Sequence, residues 1–205
     1  MAWLDSCLAG VAPELQRAAI HQAVQHLDRG GVLAMSSTLD VIFRCACAEL
    51  GLQRDADADA GTTAVYRRTD RTTVHDMLWD ARAKIDRVTA RELAAELSSE
   101  RPPVVVDTRT HTDRERMGVI PGSIHVPRTV LEWHLDPANG YRHPAVTGFD
   151  QPLVVVCNGG YSSSLAAASL QQLGFTNVRD LIGGVRAWTQ HGHPVQAPDH
   201  AHLDL

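Results

Sequence analysis

Hydrophobic positions along the chain follow two rhythms, and the change between them falls near residue 86. Ahead of that point apolar residues recur at helical spacing. Leu15, Ala19, Ala23 and Leu27 share one stripe and predict an amphipathic helix over residues 13–28, which Gly30-Gly31 would end. Val32-Leu33-Ala34-Met35 is short and apolar and predicts a strand. Ser37 or Thr38 then caps a second helix carrying Leu39, Ile42, Phe43, Ala46 and Leu50. The run Asp55-Ala56-Asp57-Ala58-Asp59-Ala60-Gly61 is acidic and small, has nothing to bury, and reads as a linker or loop. A third helix is predicted over residues 73–85, with Val74, Leu78, Ala81 and Ile85 in register. Residues 1–70 are therefore expected to be mainly helical and 71–85 a connecting helix, with no chemical motif in either.

After residue 86 short apolar runs alternate with helical stretches. Thr89-Ala90-Arg91-Glu92 is a capping box opening a helix over 93–97. Pro102-Pro103 breaks it, and Val104-Val105-Val106 is a β-branched run suited to a strand buried on both faces. Ile120-Pro121-Gly122-Ser123 turns into a strand at 124–126. Strands follow at 153–156 and 178–181, and helices at 165–173 and 185–191. This order predicts an α/β fold, a three-layer α/β/α domain over residues 86–197 with a central parallel sheet and helices on both faces. Residues 198–205 are a His-rich tail. In such sheets ligands bind beyond the carboxyl ends of the strands, where Asp107 and Cys157 both stand.

Composition narrows the class. With 205 residues the chain can hold one domain and an appendage, or two small domains. Hydrophobic residues at 44% and charged residues at 21% argue against wholesale disorder. A net charge of -5 gives no general attraction to nucleic acid or to an anionic membrane, and no apolar run approaches the roughly 20 residues of a membrane span. Met1-Ala2-Trp3-Leu4-Asp5 lacks the basic start and apolar core of a secretion signal, so a cytoplasmic location is expected by default. Cys7, Cys45, Cys47 and Cys157 show neither a disulfide-framework nor a zinc spacing. The 11 histidines, with His191, His193, His200 and His202 near the end, include no His-x3-His pair and no Cys-His grouping, so no metal is expected. No Gly-rich phosphate loop is present, and no cofactor is expected.

The chemistry concentrates at Cys157. The apolar run Leu153-Val154-Val155-Val156 leads into Cys157-Asn158-Gly159-Gly160-Tyr161-Ser162-Ser163 and then a helix. Two glycines permit a tight turn, and the amides at the helix start favour an anion at the loop centre. A thiol aimed there is favoured in its anionic, nucleophilic form.

Together with Val106-Asp107-Thr108-Arg109, Ile120-Pro121-Gly122-Ser123 and Gly183-Gly184-Val185-Arg186-Ala187-Trp188, this loop resembles the rhodanese-like sulfurtransferase domain over residues 86–197. The resemblance implies that Cys157 takes the outer sulfur of a small anionic donor such as thiosulfate or 3-mercaptopyruvate, forms a persulfide, and passes the sulfur to cyanide, a small thiol or a protein. It also implies that Asn158, Gly159, Gly160, Tyr161, Ser162 and Ser163 surround the sulfur and the donor. Many family members carry a cation in this loop, where this chain has Tyr161, Ser162 and Ser163, and often a histidine at the position of Val119. Arg128, after the strand at 124–126, is the candidate to replace that cation. Asp107 is read as a structural anchor and Arg109 as an ion-pair partner within the fold, Trp188 as a core aromatic, and Trp133 as a lip over the pocket. A phosphatase of the Cys-x5-Arg kind would need a guanidinium six positions after the cysteine, and Ser163 stands there. The expected function is sulfur transfer. The alternative is a rhodanese-like binding or regulatory module with little turnover, suggested by the missing loop cation and by the large unexplained amino-terminal region, whose amphipathic helices could dock a partner.

Overall fold

The computed structural model describes residues 2–3, 22, 27, 31–36, 47, 50–59 and 63–199, and divides the chain into two units, residues 1–77 and 78–205. In the first unit β1 (Ala2–Trp3), β2 (Val32–Ser36), β3 (Leu52–Arg54) and β4 (Thr63–Arg68) form a sheet of order β1-β2-β4-β3. β1 runs parallel to β2, while β4 pairs antiparallel with β2 and with β3. The strand expected at 32–35 is present.

The mainly helical expectation for residues 1–70 falls largely on residues outside the described ones; the described residues of this region form chiefly a sheet. Thr63, Val65 and Tyr66 are β-formers, and Ala64, Val65 and Tyr66 are buried. The charges that mask this strand in the sequence are matched outside it: Arg67 Nε donates to Asp55 Oδ2 at 2.5 Å, and Arg68 pairs with Asp76. The acidic run is the β3–β4 connection. Its Asp59 carboxylate accepts from the Val65 amide at 2.8 Å and from Arg54 at 2.7 Å. Of the helices expected over 13–28 and 38–50, Gln22 and Cys47 are described as helical and Leu27 and Leu50 as outside a helix; the remaining positions, like Cys7, Cys45, His200 and His202, lie outside the described residues.

The second unit follows the alternation read from the sequence. Its elements are the end of α1 (Val74–Arg82), then β5 (Asp86–Val88), α2 (Ala90–Leu97), β6 (Val104–Asp107), α3 (His111–Met117), β7 (Ile124–His125), α4 (Leu131–Leu135), β8 (Leu153–Val156), α5 (Ser162–Leu173), β9 (Val178–Leu181) and α6 (Gly184–Gln190). The five strands are parallel, in the order β5-β9-β8-β6-β7. The capping box is formed: the Glu92 carboxylate accepts from the Thr89 amide at 2.8 Å, and Thr89 Oγ1 accepts from the Glu92 amide at 3.3 Å.

Alternation along the central strands builds two cores. Leu153, Val155 and Val106 face one way, onto Leu131 and Leu135 of α4 and Ala166, Ala167 and Leu170 of α5. Val154, Val156 and Val105 face the other way, onto Leu93 of α2 and Val185 and Trp188 of α6. Each fully buried valine or leucine contributes about 2 kcal/mol. Burial on both faces explains why these strands read as unbroken apolar runs. It also fixes register: Asp107 pairs with Val156, so β6 and β8 end together and Cys157 emerges at the carboxyl edge of the sheet. Among the described residues no helix is long and apolar enough to cross a membrane.

Candidate active site

Cys157 leaves β8 almost buried, at 8% exposure. Its Sγ accepts from the Gly160 amide at 3.2 Å and the Ser163 amide at 3.4 Å, and the thiol reaches Ser163 Oγ at 3.3 Å. Amides can converge on the sulfur because the competing carbonyls are pulled away. The first amides of α6 take two of them: Val185 N–H donates to Cys157 O at 2.9 Å and Arg186 N–H to Asn158 O at 3.1 Å. Gly160 O is taken by the Arg82 guanidinium at 2.7 Å. Two glycines make these approaches possible. Gly160 has φ +71°, and a Cβ there would lie 2.6 Å from the Gly183 nitrogen. A Cβ on Gly184 would lie 2.3 Å from Cys157 O.

Behind the loop lies a buried polar network. Ser163 Oγ and Ser164 Oγ donate to Asp180 Oδ2 at 3.1 and 2.8 Å. Arg87 closes on the same carboxylate, Nε to Oδ1 at 2.7 Å and Nη2 to Oδ2 at 3.1 Å. Asp180 is fully buried, so its charge depends on that partner. Arg82 also reaches Ser164 Oγ at 3.2 Å and lies 5.4 Å from the centre of the Tyr161 ring, within cation–π range. The site is thus a thiol among amide and hydroxyl donors, backed by two guanidiniums and one carboxylate.

The rhodanese-like domain family model matches residues 89–191, half of the chain. The chain belongs to the rhodanese-like domain family. A sulfurtransferase of Allochromatium vinosum is 30% identical over 115 residues, covering 56% of this chain and 98% of that protein. An adenylyltransferase and sulfurtransferase of Zea mays is 32% identical over 108 residues, covering 53% of this chain and 22% of its own length. Among solved structures, a Rhodopseudomonas palustris protein of unknown function, named as a possible tyrosine phosphatase, is 34% identical with a TM-score of 0.57, over 62% of this chain and 97% of that one. The sulfurtransferases among these relatives support sulfurtransferase activity in general terms.

Within this rhodanese-like site the residues singled out from sequence take different positions. Gly160 and Ser163 touch the sulfur. Tyr161 is 62% exposed and Ser162 lies at the surface of the α5 start. Asn158 and Gly159 are half-buried, and the Asn158 side-chain hydrogen bond is the main cause that holds the Asp113 carboxyl below its ordinary range. Asp107 and Arg109 form a buried bidentate pair, Nε–Oδ1 2.9 Å and Nη2–Oδ2 2.7 Å, with the Arg109 amide at 3.1 Å from Oδ1. Arg114 Nε stands 3.4 Å from the same carboxylate. Arg128 pairs with Glu132 at 2.9 Å rather than with the loop. Trp188 is buried and donates Nε1–H to Pro194 O at 2.8 Å, while Trp133 is 61% exposed. Among the described residues no group of three or more His, Cys, Asp and Glu could hold a metal ion.

Sequence reasoning missed Arg82, Arg87, Ser164 and Asp180. A signal existed for Arg82: it follows Val74 and Leu78 at four-residue steps, on the same side of the helix as the apolar stripe. An arginine on an apolar stripe needs a partner, and Gly160 O is that partner. Asp180 sits inside the run read as the last short strand, and once that strand is buried in the sheet its carboxylate likewise demands an ion pair.

Proposed function

We propose that the chain is a sulfurtransferase in which Cys157 carries the sulfur as a persulfide, taken from thiosulfate or 3-mercaptopyruvate. The observation that carries this reading is the convergence of the Gly160 and Ser163 amides on Cys157 Sγ at 3.2 and 3.4 Å. The thiolate attacks the outer sulfur of thiosulfate. A new S–S bond forms at Sγ, the bond to the sulfonate sulfur breaks, and sulfite departs with the electron pair. With 3-mercaptopyruvate the C–S bond breaks instead and the carbon fragment leaves as pyruvate after taking a proton. An acceptor thiolate or cyanide then attacks the outer sulfur, and the Cys157 thiolate is the leaving group. In both steps the charge stays on sulfur, where preorganised amides stabilise it without rearranging.

The alternative of a low-turnover binding module rested on the loop's missing cation and on the unexplained amino-terminal region; Arg82 answers the first by bringing a guanidinium to the loop from α1. The tyrosine phosphatase named for the Rhodopseudomonas palustris protein is not carried over. Ser163 occupies the position where that chemistry needs a guanidinium fork, and the Arg82 fork is already bound to Gly160 O and Ser164 Oγ.

Intact mass after mixing with each donor tests the reading. A gain of one sulfur atom on Cys157, lost in Cys157→Ser together with thiocyanate release to cyanide, is the expected result. A folded protein that gains no sulfur from either donor overturns it.

A further inference from the structure

Resting on the sulfur-transfer reading, we propose that Arg82 is a positioning residue of this site: it holds the Gly160 carbonyl away from the sulfur and supplies the net positive charge that selects anionic sulfur donors. Arg82 lies seven positions ahead of the segment matched to the family model, which begins at residue 89.

Three observations carry this. The first is connectivity through one residue. Gly160 gives its N–H to Cys157 Sγ at 3.2 Å and its carbonyl to Arg82 Nη2 at 2.7 Å. A carbonyl left free to turn inward would present a negative oxygen to a negative sulfur. The second is charge balance. Arg87 also approaches Gly160 O, at 3.3 Å, but its charge is matched by Asp180. Arg82 forms no carboxylate ion pair among the described residues; its contacts are Gly160 O, Ser164 Oγ and the Tyr161 ring. Two guanidiniums and one carboxylate leave one positive charge at the loop, enough to balance a persulfide or a thiolate. The third is that the loop itself, residues 158–163, carries no cation, and Arg128 is paired with Glu132.

Electrostatic coupling runs the same way. Burial and the neighbouring Arg87 hold the Arg82 guanidinium below its ordinary value, while Asp180, Tyr161 and Cys157 pull it back up. A half-buried charge in this setting is screened less than one in water, so it favours a thiosulfate dianion over a neutral reagent of similar size.

Iodoacetate and iodoacetamide alkylate the same sulfur and differ by one charge, so the ratio of their rates at Cys157, followed by peptide mass, reads the local potential. In the full chain, Arg82→Gln is expected to lower that ratio roughly fivefold to tenfold, and Arg82→Lys to keep it within about twofold because the charge remains. The kcat/KM for thiosulfate should fall in parallel in Arg82→Gln and recover in Arg82→Lys. An unchanged ratio in a folded Arg82→Gln overturns the proposal. Should that variant not fold, wild-type protein still decides: raising salt through the range where the Debye length shrinks from about 30 to about 3 Å must slow iodoacetate and leave iodoacetamide unchanged, and equal behaviour of the two overturns it. A wild-type protein that takes no sulfur from either thiosulfate or 3-mercaptopyruvate would sink the sulfur-transfer reading alone, since the alkylation ratio would still report on Arg82.

Discussion

The Ser163 hydroxyl stands between Cys157 and Asp180, with its Oγ 3.3 Å from the thiol sulfur and 3.1 Å from the buried carboxylate. A hydroxyl has one proton and two acceptor positions. With the thiol protonated, Ser163 donates to Asp180 and accepts from S–H. With the sulfur anionic, the hydroxyl turns and donates to it, and Asp180 keeps Ser164 at 2.8 Å and Arg87 at 2.7 Å. The network therefore follows the charge on sulfur without leaving a buried carboxylate unpaired. Ser163→Ala removes the turning donor and should slow sulfur loading from thiosulfate about tenfold, measured as the rate of sulfite release. Loading at the wild-type rate would show that the two amides suffice.

Asp107 holds the other half of the carboxyl edge. Its carboxylate is buried between Arg109 and Arg114, whose side chains are 1% and 3% exposed. Burial already pushes the Arg114 guanidinium below its ordinary value, and the Asp107 charge opposes that. Asp107→Asn would leave two buried guanidiniums without the anion they share, with only the weaker pull of Asp199 on Arg114. The expected cost is about 3–5 kcal/mol, a fall in Tm of more than about 10 °C in a thermal unfolding scan. A fall of only a few degrees would mean that water or a relaxed Arg114 takes over the missing charge.

The contrast between these two sites shows what a sequence makes legible. Cys157, Gly160 and Ser163 are neighbours in the chain, and their roles follow from a strand, a Gly-Gly turn and a helix start. The valine runs state their own burial on both faces, so the parallel sheet follows as well. Arg82, Arg87 and Asp180 are separated by up to 98 positions, and only the pairing of β5 with β9 brings Arg87 alongside Asp180. Nothing local announces that contact. The strands at 52–54 and 63–68 were hidden for another reason: arginines that pair with Asp55, Asp59 and Asp76 look like a solvated surface until the pairs are seen.

Gly184 sets how closely α6 approaches Cys157. A Cβ at that position would stand 2.3 Å from Cys157 O and 2.8 Å from Asn158 O, both backbone atoms with nowhere to go, and its φ of +60° is itself strained for a side chain. Gly184→Ala should cost about 3 kcal/mol or more. It should also weaken the α6 amide bonds to the Cys157 and Asn158 carbonyls, so sulfur loading is expected to fall even in protein that remains folded at low temperature. Gly122, whose added Cβ would meet nothing within 4 Å, provides the comparison: at φ +75°, Gly122→Ala carries only backbone strain, about 1 kcal/mol. Equal losses at the two positions would remove the steric account.

Acid should unfold the second unit through its paired carboxylates. The Arg179 side chain grips Glu96 with two bonds, Nη1–Oε1 at 2.8 Å and Nη2–Oε2 at 2.5 Å. That hydrogen bonding holds the Glu96 carboxyl below the ordinary glutamate value of 4.5. At Glu132 burial opposes the charge, but hydrogen bonds from Ser169 and Arg128 bring its carboxyl below the ordinary range too. A carboxyl lowered in the folded state binds its proton more readily when unfolded. Its contribution is therefore complete above about pH 4.5 and is lost as pH falls through the lower folded value. The Glu96 side chain is 35% exposed, so the pair contributes about 0.5–1 kcal/mol after solvent screening. Glu96→Gln should lower Tm by about 3 °C at pH 7, and the gap from wild type should close as both are taken to pH 3. A gap that stays constant across that range would mean that Glu96 acts through the packing of α2 against β9 and not through its charge.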